Sequence, residues 1–310
     1  MIRFLERDEI EAKSWDECIS HAFNGNLYGY SWFLDIVCDD WAAMVEDDYV
    51  RVFPMAYRRK FGVYYIYQPF FTQQLGLYSR SALSQEFLGN FLEAIPRKFQ
   101  RIELNLNQHN KANDSKYRLQ PQLNHELDLI HPYVDISKSY SENLKRNLKK
   151  AQHSNVSLVR NPKPETIVEL FRGNRGKEFR HLRESDYHRL LQMVYQCNHK
   201  GMADIRGVYD ERNQLLAGAF FIRSHKKATF LFSGLSGEGR EKAAMPFLID
   251  SYIKENSNRH LTFDFDGSND PKLAQFYKSF GSKEVVYPRV IIDRLPLLAR
   301  LGYRMFKGIQ

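Results

Sequence analysis

The order of predicted elements in residues 155–292 occurs a second time in residues 2–130, and this duplication restricts the fold more than any single motif does. In the later copy, Val156 to Val159 reads as a short strand, and Pro164 at a first helical position opens an amphipathic segment to Phe171. Ser185 caps a second predicted helix, whose apolar stripe is Leu190, Leu191, Val194 and Tyr195 and whose end is Gly201. Three strand-like runs follow, about 202–209, 214–223 and 227–234, separated by the turn-forming stretches Asp210 to Asn213 and Ser224 to Lys227. A Gly-rich stretch, Gly234 to Gly239, leads into a helix near 241–256, and Leu261, Phe263 and Phe265 alternate as a strand. Pro271 opens a last short helix, and Val285 to Ile292 forms a closing strand.

The earlier copy reads the same way. Ile2 to Leu5 is a strand, 14–22 and 31–38 are helices, and 42–46, 50–58 and 62–68 are strands. Leu83 to Phe99 reads as a helix, Ile102 to Leu106 as a strand, and His125 to Ile130 as the closing strand, with a polar loop at Asn107 to Asp114 in place of the last helix. Between the copies, Ser139 to Glu142 has the capping-box pattern ahead of Leu144, Leu148 and Ala151, so a helix is expected to begin near 140. Its other face carries Lys145, Arg146, Lys149 and Lys150, which is either a solvated linker surface or an electropositive wall for an anionic substrate.

Composition narrows the class. At 310 residues and 43% hydrophobic content the chain has enough apolar surface for one large or two medium cores, which excludes a disordered polymer. No stretch approaches the roughly 20 apolar residues of a membrane helix, and the charged start MIRFLERDEIEAKSWDE is unlike a signal peptide, so a soluble cytoplasmic protein is expected. Cys18, Cys38 and Cys197 are too scattered for a disulfide framework or a CxxC metal site and read as reduced, buried thiols. The net charge of +8 allows phosphate-bearing partners without selecting one.

The doubled order, together with Phe263-Asp264-Phe265-Asp266-Gly267-Ser268 and Phe276-Tyr277-Lys278-Ser279-Phe280-Gly281, resembles the Fem peptidyltransferases and the tandem form of the GNAT acyltransferase fold. Tyr30-Ser31-Trp32, Gln68-Pro69-Phe70 with Gln74-Leu75-Gly76, and the basic helix support the resemblance. It implies an α+β (mixed α/β) chain of two tandem GNAT-like acyl-CoA N-acyltransferase units with mixed, mostly antiparallel sheets. The boundaries read from sequence are 1–135 for the N-terminal unit, 136–152 for the basic linker helix, 153–292 for the C-terminal unit and 293–310 for a tail packing on the N-terminal unit. No heptad run supplies the coiled-coil arm of some Fem enzymes.

The resemblance also implies a site. The acyl donor is expected where the fourth and fifth strands of the later unit part, with Ser233, Gly234, Gly237, Gly239, Arg240 and Lys242 at the cofactor's phosphates. The coenzyme A signature Arg/Gln-x-x-Gly-x-Gly/Ala is matched imperfectly by Gly237 to Ala244, and an ordinary Gly turn is the plainer reading. Lys278 stands where Fem-type enzymes keep a cation near the reacting carbonyl or a phosphate; an exposed surface lysine is the alternative. Tyr277 or Asp266 would relay the amine proton, and Asp266 beside Gly267 reads equally as a turn residue. Tyr30, Trp32, Gln68, Lys145 and Arg146 are assigned to the acceptor side, against a packing role for the aromatic ones.

The expected donor is acyl-coenzyme A and the acceptor a small-molecule or peptide amine. Aminoacyl-tRNA with a cell-wall precursor is the alternative, and a non-catalytic binding module with a degenerate cleft is the third reading. No metal is expected, because Cys197 with His199 and His181 with His188 lack ligand spacing. A serine hydrolase is excluded by the spacing in Ser233-Gly234-Leu235-Ser236-Gly237. The apolar, basic tail Leu295 to Phe306 would permit a peripheral membrane contact.

Overall fold

A computed structural model describes residues 1–113, 115–178 and 182–296. In chain order the elements are β1 (Ile2–Glu6), α1 (Ala12–His21), α2 (Ser31–Val37), β2 (Asp40–Glu46), β3 (Arg51–Lys60), β4 (Val63–Ile66), β5 (Tyr78–Ser79), α3 (Gln85–Ala94) and β6 (Phe99–Asn105). They continue as β7 (Arg118–Asp128), α4 (Tyr133–Lys138), α5 (Glu142–His153), β8 (Ser157–Arg160), α6 (Pro164–Gly173), α7 (Glu184–His199), β9 (Ala203–Tyr209), β10 (Leu215–Ser224) and β11 (Lys227–Leu235). The last are α8 (Gly237–Glu241), α9 (Ala244–Asn256), β12 (Thr262–Asp264), α10 (Pro271–Lys278) and β13 (Lys283–Asp293). The architecture is mixed α/β, and two compact units divide between residues 122 and 123 and again between 285 and 286.

In the first unit β1, β2, β3 and β4 form an antiparallel meander, β5 pairs with β3, and β4 pairs in parallel with β6. The strand beside β6 is β13, antiparallel, with Arg289 opposite Asn105 and Asp293 opposite Arg101. In the second unit β8, β9, β10 and β11 are antiparallel neighbours, β11 pairs in parallel with β12, and β12 pairs antiparallel with β7. Each unit therefore has one parallel strand pair among antiparallel ones.

The closing strands depart from the sequence reading. His125 to Ile130 was expected to close the earlier copy and Val285 to Ile292 the later one. Instead, residues 123–128 of β7 belong to the second unit and residues 286–293 of β13 to the first. The units are thus not the contiguous segments 1–135 and 153–292. The region read as a linker, 136–152, lies inside the second unit as parts of α4 and α5. Of the tail, residues 297–310 lie outside the described residues, the membrane reading with them.

Local chemistry explains the second unit. Ser141, two residues beyond the expected cap, accepts the Leu144 amide at 3.2 Å and starts α5; Leu144 and Ala151 are buried as predicted. In α7 the buried stripe is Leu190, Met193, Val194 and Cys197, spaced i, i+3, i+4 and i+7, whereas Tyr195 is exposed and donates to Glu165. Ring packing of Phe221, Phe230, Tyr252, Phe263 and Phe265 joins β10, β11, α9 and β12 into one core. Among the described residues no helix is long and apolar enough to cross a membrane.

Candidate active site

Parallel pairing between β11 and β12 is short. Lys227, Ala228 and Thr229 face Thr262, Phe263 and Asp264, and beyond Thr229 and Asp264 the two strands have no further register. A β-bulge coincides with this end: Phe220 faces Phe232 and Phe221 faces Phe230, leaving Leu231 without an opposite residue on β10. A bulge bends its strand and raises the local twist, turning the free half of β11 away from its parallel neighbour. On the core side of the parting stand Phe230, Phe263 and Phe265.

The chain after β11 makes one helical turn, α8, in which Ser236 accepts the Gly239 amide at 2.8 Å. Then Ala243 adopts a left-handed conformation, φ 54°, and α9 starts afresh. The expected single helix near 241–256 is split by that residue. Pro246 occupies the third position of α9, Ala244 and Met245 at its first two positions are buried residues, and Ala243 gives the helix no side-chain cap. The first-turn amides of a helix carry its positive end and suit an anion. The frame Arg240-x-x-Ala243-x-Met245 thus sets a left-handed alanine where the coenzyme A signature has its first glycine.

The predicted cofactor residues fall into two groups. Gly234 lets α6 approach β11, since a Cβ there would meet the Ile167 carbonyl oxygen at 2.6 Å; Gly239 lets α8 approach β10, since a Cβ there would strike the Leu216 carbonyl. Both therefore have packing reasons. Ser233 pairs with Ala219 within the sheet, and Lys242 is held by Glu238 at 2.8 Å, which also binds Arg212. Gly237 faces open space and Arg240 is exposed.

Tyr277 is buried in α10 against Phe265, with ring centroids 4.6 Å apart, and the His125 ring lies 6.2 Å away. Burial, reinforced by Asp266, pushes its phenol above the ordinary tyrosine range, so it stays protonated at neutral pH. Asp266 has φ 58° and its amide donates to Asp264 at 2.9 Å, which supports its reading as a strand-end turn residue. Lys278 is half exposed and pairs with Glu284 at 3.0 Å. His125 is fully buried, and burial followed by the charge of Lys278 holds its pKa below the usual value. Ser282 donates to the Tyr277 carbonyl at 2.9 Å and stands 3.3 Å from His125 Nδ1, so Nδ1 carries the ring proton. Nε2 is then a buried acceptor without a partner among the described residues.

Sequence reasoning missed the polar network along the paired stretch of β11 and β12. Lys227 binds Glu126 and approaches Asp264 at 3.6 Å; Asn124 donates to Asp264 at 2.9 Å and accepts the Gly267 amide at 2.8 Å. Burial raises the Glu126 carboxyl above its usual range, and the two carboxylates raise Lys227 against the opposing effect of burial. The signal was present in Phe263-Asp264-Phe265, where a charge alternates with buried aromatics and so occupies the other face of the strand.

On the acceptor side, Gln68 donates to the Thr72 carbonyl at 2.9 Å and accepts the Asn105 amide at 2.9 Å, so its amide is spent bracing the first unit. Tyr30 and Trp32 stack on each other at 5.9 Å at the start of α2. On α5, Lys145 pairs with Glu142, whereas the side-chain cations of Arg146, Lys149 and Lys150 have no hydrogen bond or ion pair among the described residues. Among those residues no group of three metal-ligating side chains occurs, and Cys18, Cys38 and Cys197 are buried free thiols; His181 lies outside them.

No protein-family model matches this chain, and no curated protein matches it in sequence. Solved structures match in fold. FemX aligns with a TM-score of 0.62 at 12% identity, over 91% of this chain and 96% of that one. A conserved protein of unknown function from Bacteroides thetaiotaomicron gives 0.59 at 9% identity, over 94% and 99%. The C-terminal domain of a putative lysylphosphatidylglycerol synthetase from Agrobacterium fabrum gives 0.53 at 10% identity, over 94% of each chain. The fold is the one that FemX has.

Proposed function

We propose that this chain is an N-acyltransferase that moves an acyl group from acyl-coenzyme A to an amine by direct attack. The observation that carries the reading is the start of α9, which has no side-chain cap and follows the strand that parts from β12. An anionic donor would place its phosphates on the first-turn amides of that helix, with Arg240 adding charge. The thioester arm would lie along the unpaired half of β11, where free backbone groups can polarise the carbonyl.

The amine nitrogen attacks the carbonyl carbon as the carbon–sulfur bond breaks, the amine loses a proton and the leaving thiolate gains one. Tyr277, kept protonated by burial, supplies the proton to the sulfur. Asp266 is proposed as the amine's proton acceptor, and Lys278 as a cation near the acyl carbonyl or a phosphate. Tyr30, Trp32, Lys145 and Arg146 are proposed for the acceptor.

Aminoacyl-tRNA is the second donor. The unpaired cations Arg146, Lys149 and Lys150 on α5 favour it, as does the likeness to FemX and to a domain named for lysylphosphatidylglycerol synthesis. The acceptor then becomes a cell-wall peptide precursor or a lipid head group, and the bond broken is the aminoacyl ester. Incubation with acyl-coenzyme A and, separately, with charged tRNA, followed by mass spectrometry of candidate amines, distinguishes the donors. Binding that weakens steeply with salt marks tRNA. Binding of neither donor refutes both and leaves a binding module.

A further inference from the structure

At the other end of α9, about 18 Å along the helix from its first-turn amides by the rise per residue, a second charged region is unassigned. A pocket of about 240 Å³ opens there, with Arg160, Asn161, Asp204 and Arg223 in its walls. Beneath it Arg206 is buried: its Nε and Nη2 donate to the two oxygens of Asp204 and its Nη1 to Glu255 at 2.7 Å. Glu255 also accepts from Arg160 Nη2 at 2.9 Å, and Asp204 lies 3.5 Å from Arg223 Nη2. Arg223 further donates through Nε to the Tyr252 hydroxyl and through Nη2 to Asn256.

Three guanidinium groups thus share two carboxylates, and the buried one takes the best of both. Arg206 forms a two-point pair with Asp204 and a third bond to Glu255, so much of the charge of both carboxylates, Asp204 in the pocket wall included, is committed to a buried guanidinium. Among the described residues Arg160 Nε and Nη1 and Arg223 Nη1 have no hydrogen-bond partner, and both residues line the same pocket. A fixed fork of N–H groups matches a tetrahedral oxyanion better than a single ammonium would. The volume lies below the roughly 300–1,000 Å³ of drug-sized sites, which selects a small ligand.

We propose that this pocket binds a phosphate group, free or as a small monoester, between Arg160 and Arg223, with Arg206 compensating the carboxylates of Asp204 in the wall and of Glu255. The proposal does not rest on the acyl-transfer reading, because none of its residues belongs to the parted strands or to the start of α9.

Calorimetric titration of the full chain at constant ionic strength, with inorganic phosphate in one arm and glycerol 3-phosphate in the other, tests it. Saturable binding of at least one probe is expected, and Arg160→Ala, a change at an exposed side chain, should weaken it at least about tenfold. Arg223→Lys keeps the charge but loses the fork, and should weaken binding likewise; unchanged far-ultraviolet dichroism establishes that the variant is folded. The tighter probe tells a free ion from a monoester. Absence of saturable heat with both probes, or equal affinity in folded Arg160→Ala, overturns the proposal.

Discussion

Replacing Lys227 by Met tests whether the network at the parting of β11 and β12 is a buried charge arrangement or a surface ion pair. Glu126 and Asp264 are largely buried, with side-chain exposures of 15% and 8%, and Lys227 is 29% exposed. Removing one partner of a buried pair costs about 3–5 kcal/mol, because the remaining charge is left without compensation. The partial exposure of Lys227 puts the expected loss near the lower figure, about 3 kcal/mol. For a unit of about 160 residues that corresponds to a fall in Tm of about 6–12 °C.

The pH dependence supplies a sharper signature. Burial already raises Glu126, and losing the attraction of Lys227 raises it further. A carboxyl whose folded pKa lies above its unfolded value favours the folded state at low pH, and that contribution is lost as pH rises through the folded pKa. Lys227→Met should therefore be hurt most near pH 7.5 and recover as the pH falls toward 5, while Lys227→Met/Glu126→Gln should regain much of the loss at pH 7.5. Urea denaturation of the three proteins across this range measures it. A loss below about 1 kcal/mol at pH 7.5, or one that does not shrink on acidification, refutes the reasoning.

Other expectations follow from single sites. Gly239→Ala should cost about 1–3 kcal/mol in urea denaturation, since its Cβ would strike the Leu216 carbonyl; a fully stable variant would contradict the packing role. Burial pushes the Cys18 and Cys197 thiols up to about 11 and about 12, so an aromatic disulfide reagent at pH 8 should leave both largely unmodified until denaturant is added, and fast labelling of the native chain would contradict their burial. The depressed pKa of His125 means that the unfolded chain binds the proton more readily. Its contribution to stability is present above about 6.5 and is lost as pH falls through that value, and His125→Gln should flatten this part of the stability profile. Tyr277→Phe should lower turnover with either donor by about 10²–10⁴ while leaving donor binding near its original value; an unchanged rate removes Tyr277 as the proton donor.

Most elements were legible because their apolar spacing alternates at two residues in strands and recurs at three to four in helices, as in Phe263 and Phe265 or Leu144 and Ala151. What failed was whatever depends on a partner distant in sequence. Residues 123–128 and 286–293 are equally strand-like, and nothing local says which sheet either joins. Ala243 interrupts a continuous helical pattern in a conformation that alanine rarely takes, so composition gave no sign of it. Tyr277 and Asp266 stand out in the sequence only through the two stretches, 276–281 and 263–268, that carry the family resemblance. The set of Asn124, Glu126, Lys227 and Asp264 comes from three separate strands, and only pairing brings it together.

Because each sheet takes its last member from a distant stretch, neither half of the gene encodes a finished sheet. During synthesis the first four-strand meander and β6 emerge well before their neighbour at 286–293, leaving an open edge until that stretch has been made. A fragment cut at 135 or begun at 153 would separate a sheet from its donated strand. Dissection of this protein therefore has to proceed by point changes, or by moving the termini, rather than by truncation.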